Sequence, residues 1–272
     1  MAEIYGADAY SPKEVAERVE SVGVRKANLP LVPMAALGVL AGGFIGLGAM
    51  FYSLVISDGS LGFATQRILG GMAFSLGLIL VVIAGAELFT GNNLMVMALV
   101  DRRISAKLLL RNLSLVYLTN FLGAAGIAAL VALSGHTKMN LGAVEDTAIA
   151  IAAAKCSIGF GKAFFMAILC NLLVCLAIWL AMAGRSVTDK ILAIIFPITA
   201  FVAAGFEHCI ANMYFVPLGL FLAGDNRPIE LSWTAFLFHN LLPVTLGNIV
   251  GGAGMVGLIY WVIYDMEKSH DT

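Results

Sequence analysis

Apolar runs of membrane-crossing length, separated by short polar connections, dominate the pattern of this chain. They cover about residues 31–56, 68–100, 108–133, 161–182, 191–223 and 241–264. A helix crosses a bilayer with about 20 apolar residues, so the pattern predicts six crossings. The connections are Ser57-Asp58-Gly59-Ser60, Asp101-Arg102-Arg103, a longer polar loop over 134–157, Gly184-Arg185-Ser186-Val187-Thr188-Asp189-Lys190 and Gly224-Asp225-Asn226-Arg227-Pro228. A short lead-in, 234–240, precedes the last run. Residues 1–29 are polar. Within them Ser11-Pro12-Lys13-Glu14 is a capping box with proline at the first helical position. Val15, Val19 and Val22 then share a face, which predicts a short helix on the membrane surface or a plain solvated one.

Two of the six runs are interrupted. Gly85-Ala86-Glu87-Leu88-Phe89-Thr90-Gly91-Asn92 breaks the second, and Gly205-Phe206-Glu207-His208-Cys209-Ile210-Ala211-Asn212 breaks the fifth. Both read Gly-x-Glu-x-x-x-x-Asn, with the two first glycines 120 residues apart. Ionisable groups at that depth are costly and mark a pathway or a site. The third helices agree as well: Asn120-x-x-Gly123-x-x-Gly126 against Asn248-x-x-Gly251-x-x-Gly254. The chain therefore reads as two three-helix halves, about 31–133 and 161–264. Three crossings is an odd number, so the second half enters from the opposite face as an inverted repeat. The expected fold is an all-α polytopic membrane protein with helices 2 and 5 broken near the midplane. Half-helices starting near Asn92 and Ala211 would point positive dipole ends inward, which favours an anion. Glu87 and Glu207 are read as structural, accepting hydrogen bonds from backbone N–H groups freed at the breaks. A carboxylate lining the route would repel an anion.

Composition agrees with the pattern: 60% of the residues are hydrophobic and 12% charged, with a mean hydropathy of +0.93. A soluble domain carries roughly twice that charge. The net charge of −1 gives no reason to expect a nucleic-acid partner. The polar N-terminal stretch carries no cleavable signal pattern. Cys156, Cys170, Cys175 and Cys209 have no metal spacing, so no metal or other cofactor is expected. Lys and Arg number eleven in the N-terminal stretch, 101–111, 184–190 and the tail, against five at Arg67, Lys138, Lys155, Lys162 and Arg227. That asymmetry puts both termini in the cytoplasm. It divides the chain into a cytoplasmic N-terminal helix over 1–30, a channel domain over 31–264 and a cytoplasmic tail over 265–272.

The two breaks, together with His239-Asn240-Leu241-Leu242-Pro243-Val244-Thr245-Leu246-Gly247-Asn248, resemble the signature segments of the formate/nitrite transporter family. The similarity covers nearly all of 31–264. Gly184-Arg185-Ser186, Asp189-Lys190 and Tyr260-Trp261-Val262-Ile263-Tyr264 look most like the formate channels of that family. The resemblance implies an aquaporin-like protomer without Asn-Pro-Ala motifs. It also implies a homopentamer in a prokaryotic inner membrane and passage of formate, nitrite or hydrosulfide. It places His208 as the central histidine, Thr90 facing it, Lys155 and Asn171 at the outer vestibule, and Phe74, Leu78, Phe201 and Leu88 at the constrictions. Glu87 stands where some formate channels carry aspartate, which leaves the polarity unchanged. By composition alone Phe74 and Phe201 are ordinary core, Lys155 a snorkelling lysine and Asn171 a helix–helix hydrogen bond.

These residues suggest a route for a weak acid. An anion entering an apolar ring loses hydration at a cost of many kcal/mol, which protonation avoids. Histidine, with an ordinary pKa of about 6.5, is the side chain suited to exchange that proton. The rivals are a nitrite or hydrosulfide channel of the same family, a neutral-solute channel, and a membrane enzyme. No paired nucleophile and base supports the last. The capped N-terminal helix is also expected to swing into the cytoplasmic mouth at low pH.

Overall fold

The computed structural model describes residues 8–224 and 228–264. The charged tail and the middle of the 224–228 loop lie outside the described residues. Among the described residues six helices are long and apolar enough to cross a membrane. The ten longer helices of the described chain are α1 Pro12–Ala27, α2 Leu31–Ile56, α3 Phe63–Gly85, α4 Phe89–Val100, α5 Ala106–Leu133, α6 Ala143–Cys156, α7 Phe160–Ala183, α8 Val187–Ala204, α9 Cys209–Leu222 and α10 Ala235–Tyr264. The crossings are α2, α3, α5, α7, α8 and α10. The shorter α4 and α9 are half-helices that continue the broken second and fifth crossings. The lead-in at 234–240 is no separate turn. It winds into α10, whose stretches Ala235–Leu241 and Val250–Leu258 are π-helical.

Small residues set the spacing between crossings, as expected where lipid offers no hydrophobic drive for helix pairing. α2 and α5 bring their backbones together at Gly42 and Gly123. A Cβ on Gly123 would run into the carbonyl of Val39, and one on Gly42 into that of Asn120. The same contact recurs between α10 and α7, where a Cβ on Gly251 would meet the carbonyl of Ile168. Gly126, one turn beyond Gly123, faces open space. Gly123→Ala is therefore expected to lower the thermal unfolding temperature in detergent, at an overpacking cost of about 1–3 kcal/mol. Gly126→Ala is expected not to lower it.

The amphipathic α1 has the capping box anticipated for it. The Ser11 N–H donates to Glu14 Oε2 at 2.7 Å, and the Glu14 N–H donates to Ser11 Oγ at 3.3 Å. Those bonds hold the Glu14 carboxyl below its ordinary pKa. The helix is not simply solvated. Val15, Ala16, Val19, Gly23 and Ala27 are buried, and Gly23 sits against Met95 and Ala98 of α4.

The stretch 134–157 differs from the polar loop expected for it, because its second half is α6. Polar residues at 134–146 hid a stripe of small side chains at four-residue spacing. Val144, Ala148, Ala152 and Cys156 are buried, with Ala152 against Gly219 of α9. This stripe matches Val15, Val19, Gly23 and Ala27 of α1, each 129 residues earlier. The inverted repeat therefore reaches back one helix in each half: α1 precedes α2–α5 as α6 precedes α7–α10.

Candidate functional site

At both breaks the chain does the same thing. α3 ends at Gly85 with φ +80 and α8 at Gly205 with φ +77, a left-handed geometry that glycine adopts without strain. Three extended residues follow, and then α4 and α9 begin at Phe89 and Cys209. These starts lie three and two residues ahead of those expected. Backbone groups released inside a membrane must find partners in the protein. One asparagine per half supplies several of them, and at the first break the Glu87 N–H also donates to the Leu37 carbonyl at 3.2 Å. Asn120 Oδ1 accepts the Phe89 N–H at 2.9 Å, and its Nδ2 donates to the carbonyls of Glu87 and Gly38, both at 2.8 Å. Asn248 Oδ1 accepts the Cys209 N–H at 2.9 Å, and its Nδ2 donates to the carbonyls of Glu207 at 3.0 Å and Ala167 at 2.8 Å.

The glutamates have a different role from the one expected. Their carboxylates take no freed backbone N–H. Instead Glu87 Oε1 pairs with Lys26 at 2.9 Å, and its Oε2 accepts from Asn92 at 2.7 Å. Glu207 Oε1 pairs with Lys155 at 2.8 Å, and its Oε2 accepts from Asn212 at 2.7 Å and Asn240 at 3.1 Å. The reason is the extended backbone, in which successive side chains point to opposite sides. Glu207 turns toward Lys155, Asn212 and Asn240 while His208 turns toward Thr90, and Glu87 turns toward Lys26 and Asn92. Asn112 completes the first cluster, accepting from Asn92 at 2.8 Å and donating to the Lys26 carbonyl at 3.2 Å. Asn240 completes the second, accepting from Asn212 at 2.7 Å and donating to the Lys155 carbonyl at 2.9 Å.

His208 and Thr90 meet where the two half-helices face each other. The ring Nε2 lies 3.0 Å from Thr90 Oγ1, and both residues are buried. Nδ1 accepts the Ala211 N–H at 3.1 Å, so His208 is also the N-cap of α9. An Nδ1 that accepts carries no proton. The neutral ring then holds its proton on Nε2 and donates it to Thr90.

Cavities approach this pair from either face. On the face of α1 a vestibule of about 440 Å³ is lined by Lys26, Val81, Val82, Glu87, Leu88 and Asn92 among others. On the opposite face a smaller cavity of about 70 Å³ is lined by Phe74, Lys155, Phe201, Gly205, His208 and Phe215 among others. Phe74 and Phe201 pack edge to face at 5.7 Å, and the Phe201 ring stacks on His208 at 6.0 Å. Leu78, one turn from Phe74, is fully buried and lines neither cavity.

The sequence profile of the formate/nitrite transporter family matches residues 13–262. The chain belongs to this family. It is a family of channels and transporters, not of enzymes. Among its relatives, formate channel FocA of Escherichia coli strain K12 is 38% identical over 279 residues, covering 97% of each chain. The uncharacterized transporter YrhG of Bacillus subtilis strain 168 is 43% identical over 260 residues, covering 93% of each. A solved structure described as a pentameric formate channel with formate bound superposes with a TM-score of 0.79 at 39% identity, covering 86% of this chain and 97% of that one. An FNT family ion channel superposes at 0.83 with 30% identity, covering 92% and 98%.

Within this family fold, most of the residues singled out in the sequence converge. Thr90 meets His208, Phe74 and Phe201 line the smaller cavity with His208, and Leu88 lines the vestibule. Lys155 lines the cavity beyond them, with its charge matched by Glu207. Asn171 stands behind the pair and lines neither cavity: it donates to the carbonyls of Thr90 at 3.2 Å and Asn248 at 2.7 Å. Four residues went unassigned in the sequence reading: Lys26, Asn112, Asn120 and Asn248. Asn120 and Asn248 were visible as the first residues of a repeated pattern. Lys26 was visible only once α1 and α6 were recognised as a pair.

Proposed function

We propose that the chain is a channel for formate, passing it as a small monovalent anion across a prokaryotic inner membrane, with both termini cytoplasmic. The protein works as a homopentamer with one route per protomer. The observation that carries this reading is the buried His208–Thr90 pair, with His208 lining the smaller cavity beside Phe74 and Phe201 and Leu88 lining the vestibule on the other face. Anion transfer past such apolar side chains is costly, and one positioned donor lowers the cost where the hydration shell is lost. The 14-residue α9 adds the positive end of its dipole at the same place. The pentameric formate channel with formate bound gives the anion and the assembly their support.

Proton exchange at His208 fits the same geometry. The anion approaches the Nε2–H and Thr90 hydroxyl edge, while Nδ1 can take up a proton only by releasing the Ala211 N–H. Proton uptake and the start of α9 are thereby linked. The test is influx of labelled formate, nitrite and hydrosulfide into proteoliposomes holding the purified protein. Formate is expected to enter well above the rate of empty liposomes. Absence of formate flux alongside rapid water or ammonia flux would overturn the reading.

A further inference from the structure

The lysines nearest the route are already neutralised. Lys155 meets Glu207 at 2.8 Å and Lys26 meets Glu87 at 2.9 Å, so neither pair presents much net charge to an approaching anion. Arg67 differs. It belongs to the first turns of α3, on the stripe that carries Gly71, Phe74, Leu78 and Val81 at alternating spacings of four and three. Seven residues are two turns, so Arg67 stands on the face of Phe74 and about 10 Å farther toward the α6 side. Its Nε donates to the Ala203 carbonyl at 2.8 Å, one of the last carbonyls of α8. That bond fixes the guanidinium plane at the end of the helix that carries Phe201.

The other N–H groups of Arg67 are unused among the described residues. No carboxylate of those residues lies within salt-bridge distance of Arg67, and its Nη atoms make no hydrogen bond to them. Arg67 does not itself line the smaller cavity, but its Nη2 lies beside Gly205, which does: a Cβ on Gly205 would stand only 2.7 Å from it. Gly205 thus serves two ends: it turns the chain at φ +77 and leaves room for the guanidinium. The inverted repeat does not copy this feature. The equivalent position, 120 residues on, is Val187 at the other face.

We propose that Arg67 is the anion-capturing residue of the mouth on the α6 side, a preorganised fork that takes a carboxylate-sized anion before it reaches Phe74 and Phe201. The planar guanidinium suits a carboxylate better than an ammonium does, and its helix-end bond lowers the entropy cost of holding it in place. This assignment rests on the reading of the chain as an anion route.

Formate influx into proteoliposomes, measured over a range of concentrations, tests it with the full-length protein. Arg67→Gln keeps a donor for the Ala203 carbonyl and removes the charge. It is expected to raise the half-saturating formate concentration about tenfold, with a maximal rate close to that of the unaltered protein. Arg67→Lys is expected to recover part of that loss. Raising the ionic strength with a bulky impermeant salt should weaken capture in the unaltered protein and hardly affect Arg67→Gln. An unchanged half-saturating concentration in Arg67→Gln overturns the assignment, as does a variant that loses only thermal stability and maximal rate. If the unaltered protein moves no formate, the anion reading itself fails, which is a separate result.

Discussion

His208→Asn is expected to cut formate flux by about a hundredfold and to abolish the dependence of that flux on pH that proton exchange at His208 would give the unaltered protein. Asparagine is the informative replacement because His208 has two tasks. Its Nδ1 caps α9 by accepting the Ala211 N–H, and its Nε2 faces Thr90. Asparagine is a strong N-cap whose Oδ1 can take over the first task. It cannot exchange a proton near neutral pH, so the second task is lost while the half-helix keeps its start. Flux of labelled formate into proteoliposomes, corrected for empty liposomes at each pH, gives the rate, and thermal unfolding in detergent checks the fold. A His208→Asn protein with the rate and pH profile of the original would remove His208 from the mechanism.

Glu207→Leu is expected to be the most destabilising single change at the breaks. Its carboxylate holds Lys155, Asn212 and Asn240 together, and its side chain is 4% exposed against 14% for Lys155. Leucine would leave the ammonium without its partner in a poorly hydrated place. Breaking a buried pair from one side costs about 3–5 kcal/mol. For a chain of this size that corresponds to a fall in unfolding temperature on the order of 10 °C. The companion variant Lys155→Met with Glu207→Leu removes both charges and is expected to regain most of the loss. The matching change Glu87→Leu should cost less, because Lys26 is 25% exposed and can turn to water. Equal unfolding temperatures for Glu207→Leu and the unaltered protein would show that the cluster contributes nothing to stability.

Both predictions involve residues that the sequence made conspicuous, and the reason is physical. A glutamate and a histidine inside an apolar run must have partners or a purpose. The repeat of Gly-x-Glu-x-x-x-x-Asn then shows that the break is built rather than accidental. Asn120 and Asn248 were legible as a pattern but not as a function. Their bonds reach from one helix to a break about 30 to 40 positions away, and such distances in sequence carry no periodic signal. The charge-rich start of 134–157 concealed α6. Hydropathy averages over a window, whereas the buried stripe Val144, Ala148, Ala152 and Cys156 occupies one position in four.

The chain's own residue order determined the six crossings, the two breaks and the inverted relation of the halves. Each of these follows from local rules: hydrophobic length, glycine where the backbone must turn left-handed, and the odd number of crossings per half. Only the tertiary structure decided which partner each polar group takes. Extended backbone at Leu88 and His208 turns Glu87 and Glu207 toward Lys26 and Lys155. That leaves His208 facing Thr90, and it leaves Arg67 at the mouth as a cation with no carboxylate beside it among the described residues. Alternation along three residues sets those directions, but the identity of the partners comes from helices far apart in sequence, brought to hydrogen-bonding distance by glycine contacts such as Gly123 on Val39.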